Sequence, residues 1–135
     1  MQSNRVTRIL LTDDEPLVLR SMNKTLQRAG FEVQTAPSCP EGLKVFVAAQ
    51  EAGVPFDMAI LDINMPGFQP GDTSGSGLEL LSRLLDKAPG LPVIMLTAYD
   101  DVARAKEAVN RGARGYFVKG REQGLVEMVN QTLKL

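Results

Sequence analysis

The feature that most constrains this chain is an alternation. Five short apolar runs, RILLT (8–12), FEVQTA (31–36), MAIL (58–61), VIMLT (93–97) and GYFVK (115–119), are each followed by a segment with helical periodicity. Strands buried on both faces read as continuous apolar runs, and helices that cover them carry one apolar stripe. The first helix places Val18, Met22 and Leu26 on one face and stops near Gly30, where a left-handed residue closes a helix cheaply. Pro40 suits the first turn of the second helix, whose inward residues are Leu43, Phe46 and Val47. The third buries Leu78, Leu81 and Leu85, and the fifth Leu125, Val129 and Leu133. The fourth, over 101–110, is alanine-rich and offers only Val102, Ala105 and Val109. Strict β/α alternation specifies a doubly wound α/β fold: a five-stranded parallel sheet with helices on both faces. No repeat or linker interrupts it, so one domain over 1–135 is expected, with its core at about 6–134.

In such sheets ligands bind at the carboxyl ends of the strands. Strand one ends in Asp13, Asp14 and Glu15, strand three in Asp62, strand four in Thr97 and strand five in Lys119. Taken singly, most have a plain structural reading. Acids before Pro16 suit a helix start, Thr97 a β-branched strand end, and Lys119 a solvated one. Asp62 is harder to explain this way, because a sheet interior disfavours an unpaired carboxylate.

Taken together, these strand ends bring three carboxylates, a hydroxyl and an ammonium to one crevice. Here composition narrows the chemistry. There is no histidine, which excludes Ser/His and Cys/His catalysis and histidine metal sites, and Cys39 is the sole cysteine. Crowded carboxylates call for a hard divalent cation with oxygen ligands, Mg²⁺ before Zn²⁺. Charge then balances near zero with three carboxylates, one dication and one lysine. A carboxylate in that setting can attack phosphorus to give an aspartyl phosphate. No G-x-x-x-x-G-K loop is present, so the phosphoryl donor must come from outside. The formal net charge of -1 gives no reason to expect direct nucleic-acid binding, and no segment could span a bilayer, so a cytoplasmic protein is expected.

The blocks LLTDDEP, AILDINMPG, GLELL, VIMLTAYD and ARGYFVKG, in this order, resemble the receiver domain of two-component response regulators over essentially the whole chain. The resemblance implies the flavodoxin-like strand order 2-1-3-4-5. It also implies phosphorylation of Asp62 by a sensor histidine kinase or histidine phosphotransfer protein. Mg²⁺, with Mn²⁺ as a substitute, would be held by Asp14, Asp62 and the backbone carbonyl of Asn64, with Asp13 assisting. Lys119 would hold the phosphoryl oxygens, Thr97 would swing toward them, and Tyr116 would rotate inward. These motions would switch the face formed by the fourth helix, fifth strand and fifth helix, through which receivers often dimerise. Such a chain catalyses only its own phosphorylation and dephosphorylation. A downstream effector or output domain would lie outside the residues present.

Three departures from the family pattern bear on the site. Gly120 stands where a proline with a cis peptide is common; a cis bond without proline is costly, so a trans and more mobile loop is expected after Lys119. The loop over about 67–77 is roughly seven residues longer than usual, with FQPGDTSGS (68–76) as the insertion, read as a flap or partner contact. Within it Asp72 is a weak candidate for a further metal ligand, since glycine- and serine-rich loops hold ligands poorly. Tyr99 and Asn64, two residues after Thr97 and Asp62, would tune the access of attacking water. Two other functions compete. A pseudo-receiver would serve only as an interaction module. A haloacid-dehalogenase-type phosphotransferase would need a second Asp where Asn64 stands.

Overall fold

A computed structural model describes residues 6–120 and 122–135. The elements are β1 (Arg8–Thr12), α1 (Pro16–Arg28), β2 (Glu32–Ala36), α2 (Cys39–Glu51), β3 (Met58–Asp62), α3 (Ser76–Lys87), β4 (Val93–Thr97), α4 (Val102–Asn110), β5 (Gly115–Val118) and α5 (Leu125–Leu133). All strand pairs are parallel and the order is β2-β1-β3-β4-β5, as expected. Because the chain starts in the middle of the sheet and builds outward in both directions, the switch point lies between β1 and β3. Asp13 and Asp62 therefore emerge side by side.

Side chains alternate across each strand and sort the core into two layers. Leu10, Ala59, Leu61, Val93 and Met95 face Phe46 of α2, Leu80, Leu81 and Leu84 of α3, and Ala105 and Ala108 of α4. Ile9, Leu11, Met58, Ile60, Ile94 and Leu96 face Met22 and Leu26 of α1 and Leu125 and Val129 of α5. Ser38 caps α2, its hydroxyl accepting from the Glu41 amide, and Gly30 closes α1 at φ +97°.

Two helix faces differ from the sequence reading. In α3 the deepest residues are Leu80, Leu81 and Leu84, while Leu78 and Leu85 are only partly buried. The helix begins at Ser76 after a left-handed Gly75, and its first two residues, Ser76 and Gly77, are buried on the same side as Leu80, Leu81 and Leu84. In α4 the buried pair is Ala105 and Ala108, and Val109 points out, 39% exposed. A 3-10 turn at Tyr99–Asp101 feeds the helix and sets that rotation. No described helix is long and apolar enough to cross a membrane.

Candidate functional site

The crevice sits at the carboxyl ends of β1, β3, β4 and β5. Asp13 is fully buried and Asp62 nearly so, whereas Asp14 is exposed. Each contributes an oxygen to a group whose members lie within 4.8 Å of one another. Lys119 reaches in from the end of β5: its Nζ is 3.0 Å from Asp62 Oδ2, 2.9 Å from Asp13 Oδ2 and 3.6 Å from Glu15 Oε1. Its backbone amide donates to the Thr97 carbonyl at 2.9 Å, extending the β4–β5 pairing by one residue and fixing where the lysine leaves the sheet.

The carboxylates are anchored by the backbone as well. Asp13 Oδ1 accepts from the Glu15 amide at 2.8 Å, and Asp62 Oδ1 from the Asn64 amide at 3.3 Å. Asp13 Oδ2 is wholly buried and meets the Lys119 ammonium at 2.9 Å, with lone-pair capacity left over. A buried lone pair of this kind, beside two more carboxylates, fits a divalent cation with oxygen ligands. Asp72 lies apart from this group. Its amide and carbonyl close a turn instead, the carbonyl accepting from the Gly67 amide at 2.7 Å.

Charge in the crevice is out of balance without a cation. Burial, and then the charge of Asp13, push the Asp62 carboxyl up to about 7 against the pull of Lys119. Asp13 is also raised, chiefly by burial. Burial works against the Lys119 ammonium too, but its bonds to Asp13 and Asp62 outweigh it, so the lysine stays charged. A carboxyl raised from 3.8 to about 7 binds protons more tightly in the folded state, so its ionisation costs stability as pH rises across that window and remains costly above it. Asp62→Asn is therefore expected to raise the melting temperature near pH 8 in chelator, by several degrees for about 2 kcal/mol. The gain should shrink at about pH 4, where the native carboxyl is already neutral. Calorimetry at the two pH values checks this; a drop in melting temperature near pH 8 would refute it.

The remaining residues occupy the rim. Thr97 is buried, its hydroxyl donating to the Ala98 carbonyl at 3.0 Å. Tyr116, in register with Met95, is half-buried against the α2–α3–α4 layer. Tyr99 is 79% exposed. The Lys119–Gly120 peptide is trans, as expected, and Gly120 sits at φ +90°, a conformation closed to proline. Glycine here thus delivers the lysine by a different backbone route from the one a proline would impose.

The inserted loop is tied down at several points. Phe68 lies under the Arg83 guanidinium, 3.8 Å from ring centroid to Cζ, and packs on the core. The Ser76 hydroxyl donates to the Met65 carbonyl, and the Cys39 thiol to the Ser76 carbonyl at 3.5 Å. Gly77 meets the β3 exit so closely that a Cβ would lie 2.0 Å from the Asp62 carbonyl oxygen. The side chain of Asn64 has partners that the sequence did not indicate. Its side-chain amide does not line the crevice freely but bonds to Asp101, Gly75 and Arg104. Periodicity gave no signal for this, because Asp101 and Arg104 read as solvated charges on a short helix.

This fold and this arrangement of strand-end residues define a receiver. Residues 9–130 match the response regulator receiver domain family, and the chain belongs to it. It is 35% identical over 123 residues to the response regulator protein FleR of Pseudomonas aeruginosa, covering 90% of this chain and 24% of that protein. It is 32% identical over 117 residues to the alginate biosynthesis transcriptional regulatory protein AlgB of the same organism, covering 87% and 23%. The chain thus spans about a quarter of the length of these relatives. Among solved structures, a response regulator receiver domain protein from Clostridium thermocellum superposes with a TM-score of 0.81 at 32% identity, over 96% of this chain and 95% of that one. The response regulator protein TrrA of Thermotoga maritima, solved in complex with Mg(2+)-BeF, gives a TM-score of 0.77 at 34% identity, over 94% and 99%.

Proposed function

We propose that residues 6–134 form one phosphoacceptor unit of a two-component system, in which Asp62 takes a phosphoryl group from a phosphohistidine on a sensor histidine kinase or histidine phosphotransfer protein. The observation that carries this reading is a nearly buried carboxylate 3.0 Å from an ammonium and within ligand distance of Asp13 and Asp14. An Asp62 oxygen attacks phosphorus, the P–N bond of the donor breaks, and the electron pair leaves with the imidazole nitrogen. Lys119 offsets charge on the transferred oxygens, and the Thr97 hydroxyl, one bond rotation from its present partner, can donate to one of them. Asp13, Asp14, Asp62 and the Asn64 carbonyl would hold Mg²⁺, or Mn²⁺ in its place. When bound, the cation supplies positive charge that lets carboxylate and phosphoryl oxygens approach.

Output follows from the same residues. Movement of Thr97 and inward rotation of Tyr116 would alter the α4-β5-α5 face, where an effector, an output domain or a second copy would dock. On this reading the chain works in the cytoplasm as a signalling switch and catalyses only its own phosphorylation and hydrolysis. An interaction-only pseudo-receiver would not need the lysine and three acids held together. A haloacid-dehalogenase-type reaction would need an acid where Asn64 donates its amide to Asp101.

Incubation with Mg²⁺ and acetyl phosphate is expected to add one phosphoryl group, labile to hydroxylamine and absent from Asp62→Asn. Intact mass measurement reads it directly. No gain in donor excess, or a gain that persists in the variant, would overturn the role of Asp62.

A further inference from the structure

One cluster of polar side chains beside the crevice is separate from the groups assigned to the phosphoryl group and the cation, Asn64 entering it by its side chain and not by its carbonyl. Asn64 Nδ2 donates to Asp101 Oδ2 at 2.8 Å, and Asn64 Oδ1 accepts from the Gly75 amide at 2.6 Å and from Arg104 Nη1 at 3.2 Å. The two partners fix the amide's orientation, since a backbone N–H must face oxygen and a carboxylate must face NH₂. Arg104 Nη1 also donates to Ser74 Oγ at 2.6 Å, and Arg104 Nε lies 3.7 Å from Asp101 Oδ1. Four chain segments meet here: the residue two after Asp62, the inserted loop, the 3-10 turn after Thr97 and the first turn of α4.

We infer that this cluster is a clasp that holds α4 in its resting position, with Arg104 as the positioning residue that ties the inserted loop to the helix. The inference rests on Asp62 being the phosphoacceptor and concerns how reaction there is regulated. Its second support is the small apolar footprint of α4 on the core. The helix has nine residues, and its buried side chains are two alanines. Alanine buries little apolar area, so directional bonds at the helix head carry a large share of what fixes its place. An arrangement so lightly packed can shift as a unit when one set of polar contacts is exchanged for another.

The clasp also gives the insertion a use. Ser74 and Gly75 belong to the added residues, and both bond to the cluster. Gly75 lies under the guanidinium, 3.5 Å from where its Cβ would be to Arg104 Nη1, and adopts φ +73°. These bonds lower the population of the displaced state of α4, so a reaction that proceeds through that state is slowed in proportion.

Releasing the clasp should therefore speed modification. With Mg²⁺ and acetyl phosphate as donor, Arg104→Ala is expected to raise the initial phosphorylation rate about five-fold, and Ser74→Ala by less. Arg104→Lys, which can keep one of the two acceptors, should fall between Arg104→Ala and the parent chain. The double variant Arg104→Ala/Ser74→Ala should gain no more than Arg104→Ala alone, because both substitutions cut the same link. Backbone amides of α4 should exchange with deuterium faster in Arg104→Ala, with those of α1 unchanged. The side chain of Arg104 is 43% exposed, so the variant should fold. Variants that react within about twofold of a parent chain modified at Asp62 would overturn the clasp alone. A parent chain that gains no phosphoryl group would overturn both the clasp and the phosphoacceptor reading.

Discussion

Lys119→Met is expected to cost about 3 kcal/mol of stability near pH 8 in chelator and to slow phosphorylation by about 100-fold or more. The lysine is the cation that Asp13 and Asp62 share, at 2.9 and 3.0 Å, and both acids are almost inaccessible to water. Methionine preserves most of the stem and removes the charge, leaving two carboxylates in mutual repulsion with one backbone hydrogen bond each. Their recourse is to protonate. Asp62 already stands at about 7 with the lysine present, and losing the lysine raises it further. The folded state then holds a proton that the unfolded chain releases near 3.8, so the penalty grows as pH rises above that value. Urea denaturation should accordingly show a much smaller loss at about pH 5 than at about pH 8, and millimolar Mg²⁺ should recover part of the loss near pH 8. An equal loss at both pH values would mean that Lys119 acts through its aliphatic stem instead of its charge.

That charge balance was visible in the sequence because strand ends are where a parallel sheet must deliver polar residues. Thr97 and Lys119 close apolar runs, and Asp62 follows one directly; alternation of strand and helix sends all of these ends to the same side. Parallel pairing then does the rest, since register aligns Asp62 with Leu96, and Thr97 with Val118, the residue before Lys119. The site was legible to the extent that it is built from chain direction.

What stayed hidden depends on rotation and on loop path, which periodicity does not encode. Val109 has the right spacing for the α4 stripe, yet Ala108 is buried in its place because the turn at Tyr99–Asp101 sets the helix's rotation. Leu84 displaced Leu85 from the deepest layer of α3 for a similar reason, the helix starting at Ser76 under a left-handed Gly75. The inserted loop is polar apart from Phe68 and read as a flap or partner contact. Its attachments use Ser74 and Ser76, a residue type that serves equally in a solvated loop, and only the fold brings Arg83 over Phe68 and Arg104 to Ser74. The bond from the Asn64 side chain to Asp101 was not legible, because the two residues lie 37 positions apart.

Gly77→Ala is the substitution in this loop with the largest expected effect, and two opposing terms decide its sign. Gly77 is the second residue of α3 and has no positive φ, so alanine there would gain helix propensity of about 1 kcal/mol. Against this, the new methyl would stand 2.0 Å from the Asp62 carbonyl oxygen and 2.9 Å from Ile63 Cα, both backbone atoms that cannot rotate away. Overpacking typically costs 1–3 kcal/mol, and relief here requires moving the start of α3 or the exit of β3, which puts the cost at about 3 kcal/mol; less the propensity gain, a net loss of about 2 kcal/mol follows. Moving β3 is the more consequential route. Gly77 donates its amide to the Ile63 carbonyl at 2.8 Å, so any separation also breaks that bond and displaces the backbone that aims Asp62 at Lys119. A shift of about 1 Å in a nucleophile lowers reactivity by about 100-fold. The paired control is Gly90→Ala, in the connection before β4, where a Cβ meets nothing within 4 Å. Urea denaturation and the acetyl phosphate time course should separate the two: Gly90→Ala close to the parent chain in both, Gly77→Ala impaired in both. If Gly77→Ala lost stability but reacted at the parent rate, the strain would be relieved at α3, and Asp62 would be held by the sheet alone.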